Sequence, residues 1–160
     1  MKLTSKGRYS MRAMLDLAVH FGQGLIQIKD IAARQQIPER YLVKLFIPLR
    51  RAGLVKSLRG IHGGFTLAKP PAEIQLDEII RVSEGTLMPV RCIDEPKACP
   101  QANICVARNI WTKIGKAINK VLESITLQDL VSELYLQPEG EEIIEKDAHL
   151  TSGFDDTASM

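Results

Sequence analysis

Along most of this chain apolar residues recur three and four positions apart, and in one short stretch they alternate instead. Met11, Met14, Leu15, Ala18 and Phe21 follow the helical spacing behind a Thr4 or Ser5 cap, which predicts an amphipathic helix ending before Gly22. A short helix over residues 28–36 turns Ile28, Ile31 and Ala32 inward. Ile37 and Pro38 interrupt it, and a second helix opens at Pro38 with Leu42, Leu45, Phe46 and Leu49 on its buried face. Pro48 lies inside that second pattern and predicts a kink or an early end before Gly53. Residues 54–68 then form two strand-like runs around a turn containing Gly60, Gly63 and Gly64, the pattern of a β-hairpin.

The second half returns to helical period. Residues 73–84 place Leu76, Ile79 and Ile80 on one stripe, ended by Gly85. Pro100 is positioned to open a long helix through about Glu123, with Val106, Ile110, Ile114, Ala117, Ile118, Val121 and Leu122 in a stripe wider than one small domain needs. Such a surface calls for a partner, and a second copy of the chain is the expected one. Thr126 caps a last short helix carrying Leu127, Leu130, Val131 and Leu134. Beyond Pro138 the sequence is acidic and then small and polar, the composition of a disordered tail.

Two short helices around a tight turn, followed by a glycine-rich hairpin, form a winged helix-turn-helix. The expected fold is therefore mainly α with one small β-hairpin. Its DNA-binding domain is assigned to residues 1–85, a cysteine loop to 86–105, the dimerisation helix and short C-terminal helix to 100–136, and the acidic tail to 137–160.

Charge sharpens this picture. Residues 1–69 carry 13 Lys and Arg against three acids, a net of +10, whereas residues 70–160 carry 8 against 16, a net of −8. A positive field confined to one half is the footprint of a polyanion-binding surface. In a winged helix the early residues of the second helix reach the major groove, which nominates Glu39, Arg40, Tyr41 and Lys44, with Val43 as an apolar contact to a thymine methyl. Lys6 and Arg8 lie where they would meet phosphates, with Arg12 on the following turn. In the wing, Arg59 is placed to enter the minor groove, His62 to touch a phosphate, and Gly60, Gly63 and Gly64 to allow positive φ and close backbone approach. Because one winged helix reads only a half-site, the expected partner is palindromic duplex DNA bound by a homodimer.

The three cysteines, Cys92, Cys99 and Cys105, are spaced C-x6-C-x5-C and sit between the basic and acidic halves. No run of apolar residues approaches a membrane span and no signal peptide is evident, so the expected location is the cytoplasm. In a reducing compartment an odd set of thiols at fixed spacing points to metal or redox chemistry rather than disulfides. An iron–sulfur cluster, direct thiol oxidation and zinc all remain open on spacing alone, zinc being short of a fourth ligand. An enzyme is not expected: G-x-x-x-x-G-K-S/T, H-E-x-x-H and G-x-S-x-G are all missing, and His20, His62 and His149 are scattered.

With these parts assembled, the sequence resembles the IscR/NsrR-type winged-helix regulators, the bacterial Rrf-type family. The resemblance is carried by M-K-L-T-S-K-G-R-Y at the start, Y41-L-V-K-L-F, R50-R-A-G-L-V-K-S-L-R-G-I-H-G-G-F-T-L, the three cysteines and I125-T-L-Q-D-L-V, and it spans roughly residues 1–136. It implies a homodimeric DNA-binding repressor or dual regulator, with Cys92, Cys99 and Cys105 as ligands of a 2Fe–2S or 4Fe–4S cluster and the following helix as the dimer interface. Two positions depart from the pattern. Arg108 stands where IscR-like members have a ligating histidine, and Arg8 stands near where others recruit an acidic residue from the partner chain. Asp94, Glu95, Asn103 and Asn109 are the nearby alternatives.

Overall fold

The computed structural model describes residues 3–137, so all of the expected 137–160 tail beyond Gln137 lies outside the described residues. Six helices and one two-stranded antiparallel hairpin make up the described chain: α1 (Ser5–Val19), α2 (Ile28–Gln35), α3 (Glu39–Arg51), β1 (Val55–Leu58), β2 (Gly64–Leu67), α4 (Leu76–Glu84), α5 (Val106–Glu123) and α6 (Leu127–Leu136). The mainly α fold with a small hairpin is as the sequence pattern predicts.

One core joins α1, α2, α3, the hairpin, α4 and α6. Met14, Leu17, Ile31, Leu42, Phe46, Leu49, Leu54, Ile74, Ile79 and Leu127 are all essentially sealed from solvent. The buried stripes of α3 and α4 are the predicted ones. That of α1 is wider, because the helix is packed by α3, α4 and α6 together: Ala13 and Leu17 join Met14 and Ala18, whereas Met11 and Leu15 are only partly buried and Phe21 is exposed.

The turn between α2 and α3 works through Gln36, whose φ of 51° reverses the chain so that Ile37, 2% exposed, plugs the core. Pro38 then caps α3. Pro48 neither ends nor shortens that helix, which continues to Arg51. A proline inside a helix removes one N–H donor, and here the carbonyl that would have received it belongs to Lys44, an exposed residue whose backbone can be hydrated. In the hairpin Val55 pairs with Leu67 and Leu58 with Gly64. Ile26 bridges to Phe65, and the Phe65 ring stacks on Phe46 at 4.6 Å, so the wing is anchored both to the connector before α2 and to α3.

The helix predicted from residue 73 starts at Leu76. Pro71–Glu73 is a separate 3-10 turn, and Ile74 and Gln75 are extended so that their backbone can pair with the chain entering α6. The Leu76 N–H donates to the Ile125 carbonyl at 3.0 Å and the Leu127 N–H to the Ile74 carbonyl at 2.9 Å. This pairing returns the chain, after the long α5, to the first core. Reciprocal capping boxes then start both helices, Gln75 with Glu78 on α4 and Thr126 with Asp129 on α6.

The far end of α4 holds the start of α1. Glu84 Oε1 accepts from the Thr4 N–H, the Thr4 hydroxyl and the Gly7 N–H, each at 2.8 Å. A Cβ on residue 7 would lie 2.6 Å from that oxygen, which is why glycine serves there. Burial pushes the Glu84 carboxyl up, but the Thr4 hydroxyl, the two N–H donors and the Lys6 charge outweigh it and hold the group below its ordinary value of 4.5. A lowered acid contributes stability that is complete above pH 4.5 and is lost as pH falls through the lower, folded value. Glu84→Gln is therefore expected to melt below wild type at pH 7, with the two converging in acid, as thermal unfolding followed across pH will show.

Candidate nucleic-acid interface and cysteine loop

The first turns of α1 and α3 meet edge to edge. The Tyr9 and Tyr41 rings contact at 5.7 Å in a T-shape, the Ser5 and Tyr41 hydroxyls are 3.2 Å apart, and the Arg12 guanidinium lies 5.9 Å from the Tyr9 ring centre. Around this contact Arg40 and Lys44 from α3 share one shallow surface with Ser5 and Tyr9, while Lys6 and Lys44 flank an adjoining depression floored by Ser10. Lys6, Arg40, Tyr41 and Lys44 are thus brought together. Glu39 is exposed on the same first turn, where the positive end of the helix suits a carboxylate. Arg8 is not brought to this group; it borders an apolar groove with Met11, Ile80, Ile118 and Leu122 on the other side of α1. The sequence pattern offers Ser5 only as an alternative to Thr4 for capping α1 and gives Tyr9 no role, because only the crossing of α1 over α3 gives them their place here.

The wing projects Arg59, Gly60 and His62 into solvent, with Ile61 90% exposed between them. Its glycines serve different ends. Gly60 has a φ of 121°, the left-handed region that side chains disfavour. Gly63 and Gly64 are not at positive φ; they are needed for room, since a Cβ would fall 2.3 Å from the Leu58 carbonyl oxygen at Gly63 and 2.6 Å from that of Ile26 at Gly64. At the base of the wing, Arg50 donates to the Ser57 hydroxyl at 3.0 Å and ties the end of α3 to β1.

Beneath α3, a buried ion pair orients the helix-turn-helix. Asp16, 4% exposed, accepts from Arg34 at 2.7 and 3.0 Å and from the Gln35 amide at 3.0 Å, joining α1 to α2. Arg12 reaches across from α1 to the backbone carbonyl of Gln35 as well.

The cysteine segment lies between α4 and α5. It runs through 3-10 turns at Arg91–Ile93 and Pro96–Ala98, and Cys99 is already extended. The long helix starts at Val106, with Cys105 as its cap, and not at Pro100. The chain turns instead over residues 99–104 to bury Ala102, whose N–H donates to the Cys99 carbonyl at 3.1 Å. Only Cys105 consequently stands at the positive end of α5.

All three thiols are unpaired and half-buried. In kind they suit iron–sulfur ligation, being soft donors on one short loop. They are not gathered: among the described residues no three His, Cys, Asp or Glu side chains are grouped as metal ligands. Arg108 binds the loop by hydrogen bonds, its guanidinium donating to the Cys92 carbonyl at 3.1 Å and the Ile93 carbonyl at 3.4 Å. Closer to α4, Met88 and Pro89 press on Gly115, where a Cβ would lie 2.4 Å from the Met88 sulfur.

The comparison with known proteins joins these parts. The Rrf2 family, described as iron-dependent transcriptional regulator, matches residues 3–133. The chain belongs to the Rrf2 family of transcriptional regulators. It is 40% identical over 138 residues to Protein rrf2 of Nitratidesulfovibrio vulgaris, covering 86% of this chain and 92% of that one. The solved structure of CymR, the global cysteine regulator of B. subtilis, superposes with a TM-score of 0.69 at 41% identity, covering 83% of this chain and 98% of that one. The T. potens IscR structure gives 0.68 at 43% identity, covering 83% and 88%. These relatives are named as transcriptional regulators and not as enzymes, and DNA is the partner of this Rrf2-family winged helix. Among the described residues no helix is long and apolar enough to cross a membrane.

Proposed function

We propose that this Rrf2-family regulator acts in the cytoplasm as a homodimeric repressor of palindromic operators, its DNA affinity switched by an iron–sulfur cluster on Cys92, Cys99 and Cys105. The observation that carries the reading is the place of the three free thiols, on a loop inserted between α4 of the DNA-binding core and the long α5. Cys92, Cys99 and Cys105 would hold the group, and a bound cluster supplies sensitivity to iron supply and oxidants. The chain's own residues provide the transmission. Arg108 anchors the loop to α5, Met88 and Pro89 wedge it against Gly115, and Glu84 ties α4 to the α1 turn that carries Lys6.

Dimerisation is assigned to α5. Val106 is 77% exposed and Val121 56%, with Ile110, Trp111 and Ile114 open between them, and a second copy of the helix is the cover expected for such a stripe. On DNA, Arg40, Tyr41 and Lys44 enter the major groove, Lys6 serves the phosphates, and Arg59 with Gly60, His62, Gly63 and Gly64 form the wing contact, while Arg8 lies on the other side of α1.

A second reading, the same regulator answering through its thiols without a cluster, is favoured by one observation: among the described residues no three His, Cys, Asp or Glu side chains are grouped as metal ligands. The kinship with CymR, a regulator of cysteine, points the same way. Absorption, iron and acid-labile sulfide measured on protein purified without oxygen decide between the two. A coloured protein with stoichiometric iron and sulfide, bleached in Cys92→Ala and altered in operator affinity, is the expected result. A colourless protein that binds its operator after anaerobic reconstitution has failed would overturn the cluster and leave the thiol reading.

A further inference from the structure

Beyond Glu39, the exposed positions of α3 are Arg40, Val43, Lys44, Ile47, Arg50 and Arg51. They fall three and four apart, on the face turned away from the buried Leu42, Leu45, Phe46 and Leu49. Four of the six are basic, the chemistry that meets a phosphate backbone, and Arg50 is already engaged with the Ser57 hydroxyl. The other two are apolar: Val43 is 46% exposed and Ile47 40%.

A lone apolar side chain on a surface needs no special account. This pair differs in its setting, one helical turn apart on the face that carries Arg40, Lys44 and Arg51. The core stripe of α3 is complete without either residue. Both side chains are β-branched, so each holds its methyl groups in a nearly fixed place and gives up little freedom on contact. In the major groove the apolar feature that tells one base pair from another is the thymine 5-methyl group. Four helical residues rise about 6 Å and base pairs stack at about 3.4 Å, so the two side chains are spaced to meet positions about two base-pair steps apart.

We infer that Ile47 is a specificity-determining residue that reads operator sequence together with Val43, each packing on one thymine methyl. The inference rests on the proposed entry of α3 into the major groove and extends base contact to the second turn of the helix. The basic residues around the pair hold α3 in the groove at many sequences. The apolar pair selects among those sequences by the methyl groups they display.

The test uses full-length protein purified without oxygen and an operator that it selects from a pool of random DNA duplexes. Each thymine of that operator is then replaced singly by deoxyuridine, which removes the 5-methyl and leaves the base pair intact. At two thymines about two steps apart, the replacement is expected to weaken wild-type binding about three- to fivefold, the value of one buried methyl group. Ile47→Ala should bind as though one of those methyls were already missing, indifferent to deoxyuridine there and with the salt dependence unchanged, and Val43→Ala should do the same at the other. Both substitutions are at exposed positions, and unchanged thermal unfolding will confirm that each variant folds. A pool that enriches no sequence, an operator indifferent to deoxyuridine at every thymine, or Ile47→Ala as sensitive as wild type at every position would overturn the inference. Arg40→Ala and Lys44→Ala report separately on the underlying reading: each should weaken binding to any duplex and flatten the salt dependence by about one unit of slope, and binding unchanged in both would remove α3 from the groove.

Discussion

Asp16→Ala is expected to destabilise the protein by about 3–5 kcal/mol, the cost of removing one side of a buried, bidentate ion pair. Asp16 is almost fully buried and takes three hydrogen bonds from α2, two from Arg34 and one from Gln35. Alanine deletes all three at once, strips Arg34 of this carboxylate and opens space between α1 and α2. For a chain of this size the loss corresponds to a fall of roughly 10 °C in melting temperature. Urea and thermal unfolding of the purified variant measure it directly. A change below about 1 kcal/mol, the range of an exposed pair, would show that the network is dispensable. Asp16→Asn, which keeps the shape and part of the hydrogen bonding, should fall between the two.

The second large effect belongs to the wing. Gly63→Ala is expected to weaken operator binding by about 10- to 100-fold, the value of one lost specific contact of about 1–3 kcal/mol. The added Cβ meets backbone and not a flexible side chain: the Leu58 carbonyl oxygen at 2.3 Å, with the Arg59 carbonyl carbon and the Gly60 oxygen at 2.9 Å. The turn must open to relieve it, and opening moves Arg59 and His62 away from the DNA. The hairpin base is held independently by the Phe46–Phe65 stack and the Ile26–Phe65 bridge, so the fold should survive. Binding isotherms over a range of salt separate the contributions. Withdrawal of the Arg59 charge from the DNA flattens the salt dependence by about one unit of slope, whereas unchanged affinity and slope would remove the wing from the interface.

Both effects depend on features with different visibility in the sequence. Gly63 is legible, because R-G-I-H-G-G-F between alternating residues already describes a tight hairpin, although the reason for the glycine is steric room and not positive φ. Asp16 is not. As one acid on an amphipathic helix it reads as a solvated charge, and only the packing of α2 across α1 brings Arg34 and Gln35 to it. Pro48 shows the converse: its local preference to break the helix is overridden where Leu49 and Phe46 are locked in the core and the donor it lacks is missed only by an exposed carbonyl.

By itself the sequence determined the helix-turn-helix, the wing, the basic half and the cysteine spacing, because each is written in local periodicity, turn chemistry or composition. Tertiary structure decided the rest. It started α5 at Val106, since burying Ala102 required a turn that no periodicity records. It returned α6 to the first core through the pairing of Ile74 with Leu127, and it set Arg108 on the backbone of the cysteine loop. Finally, it brought Asp77, Met88, Asp94 and Asn119 around one open depression, a convergence that depends on the packing of α4, the loop and α5 and on nothing local to any of them.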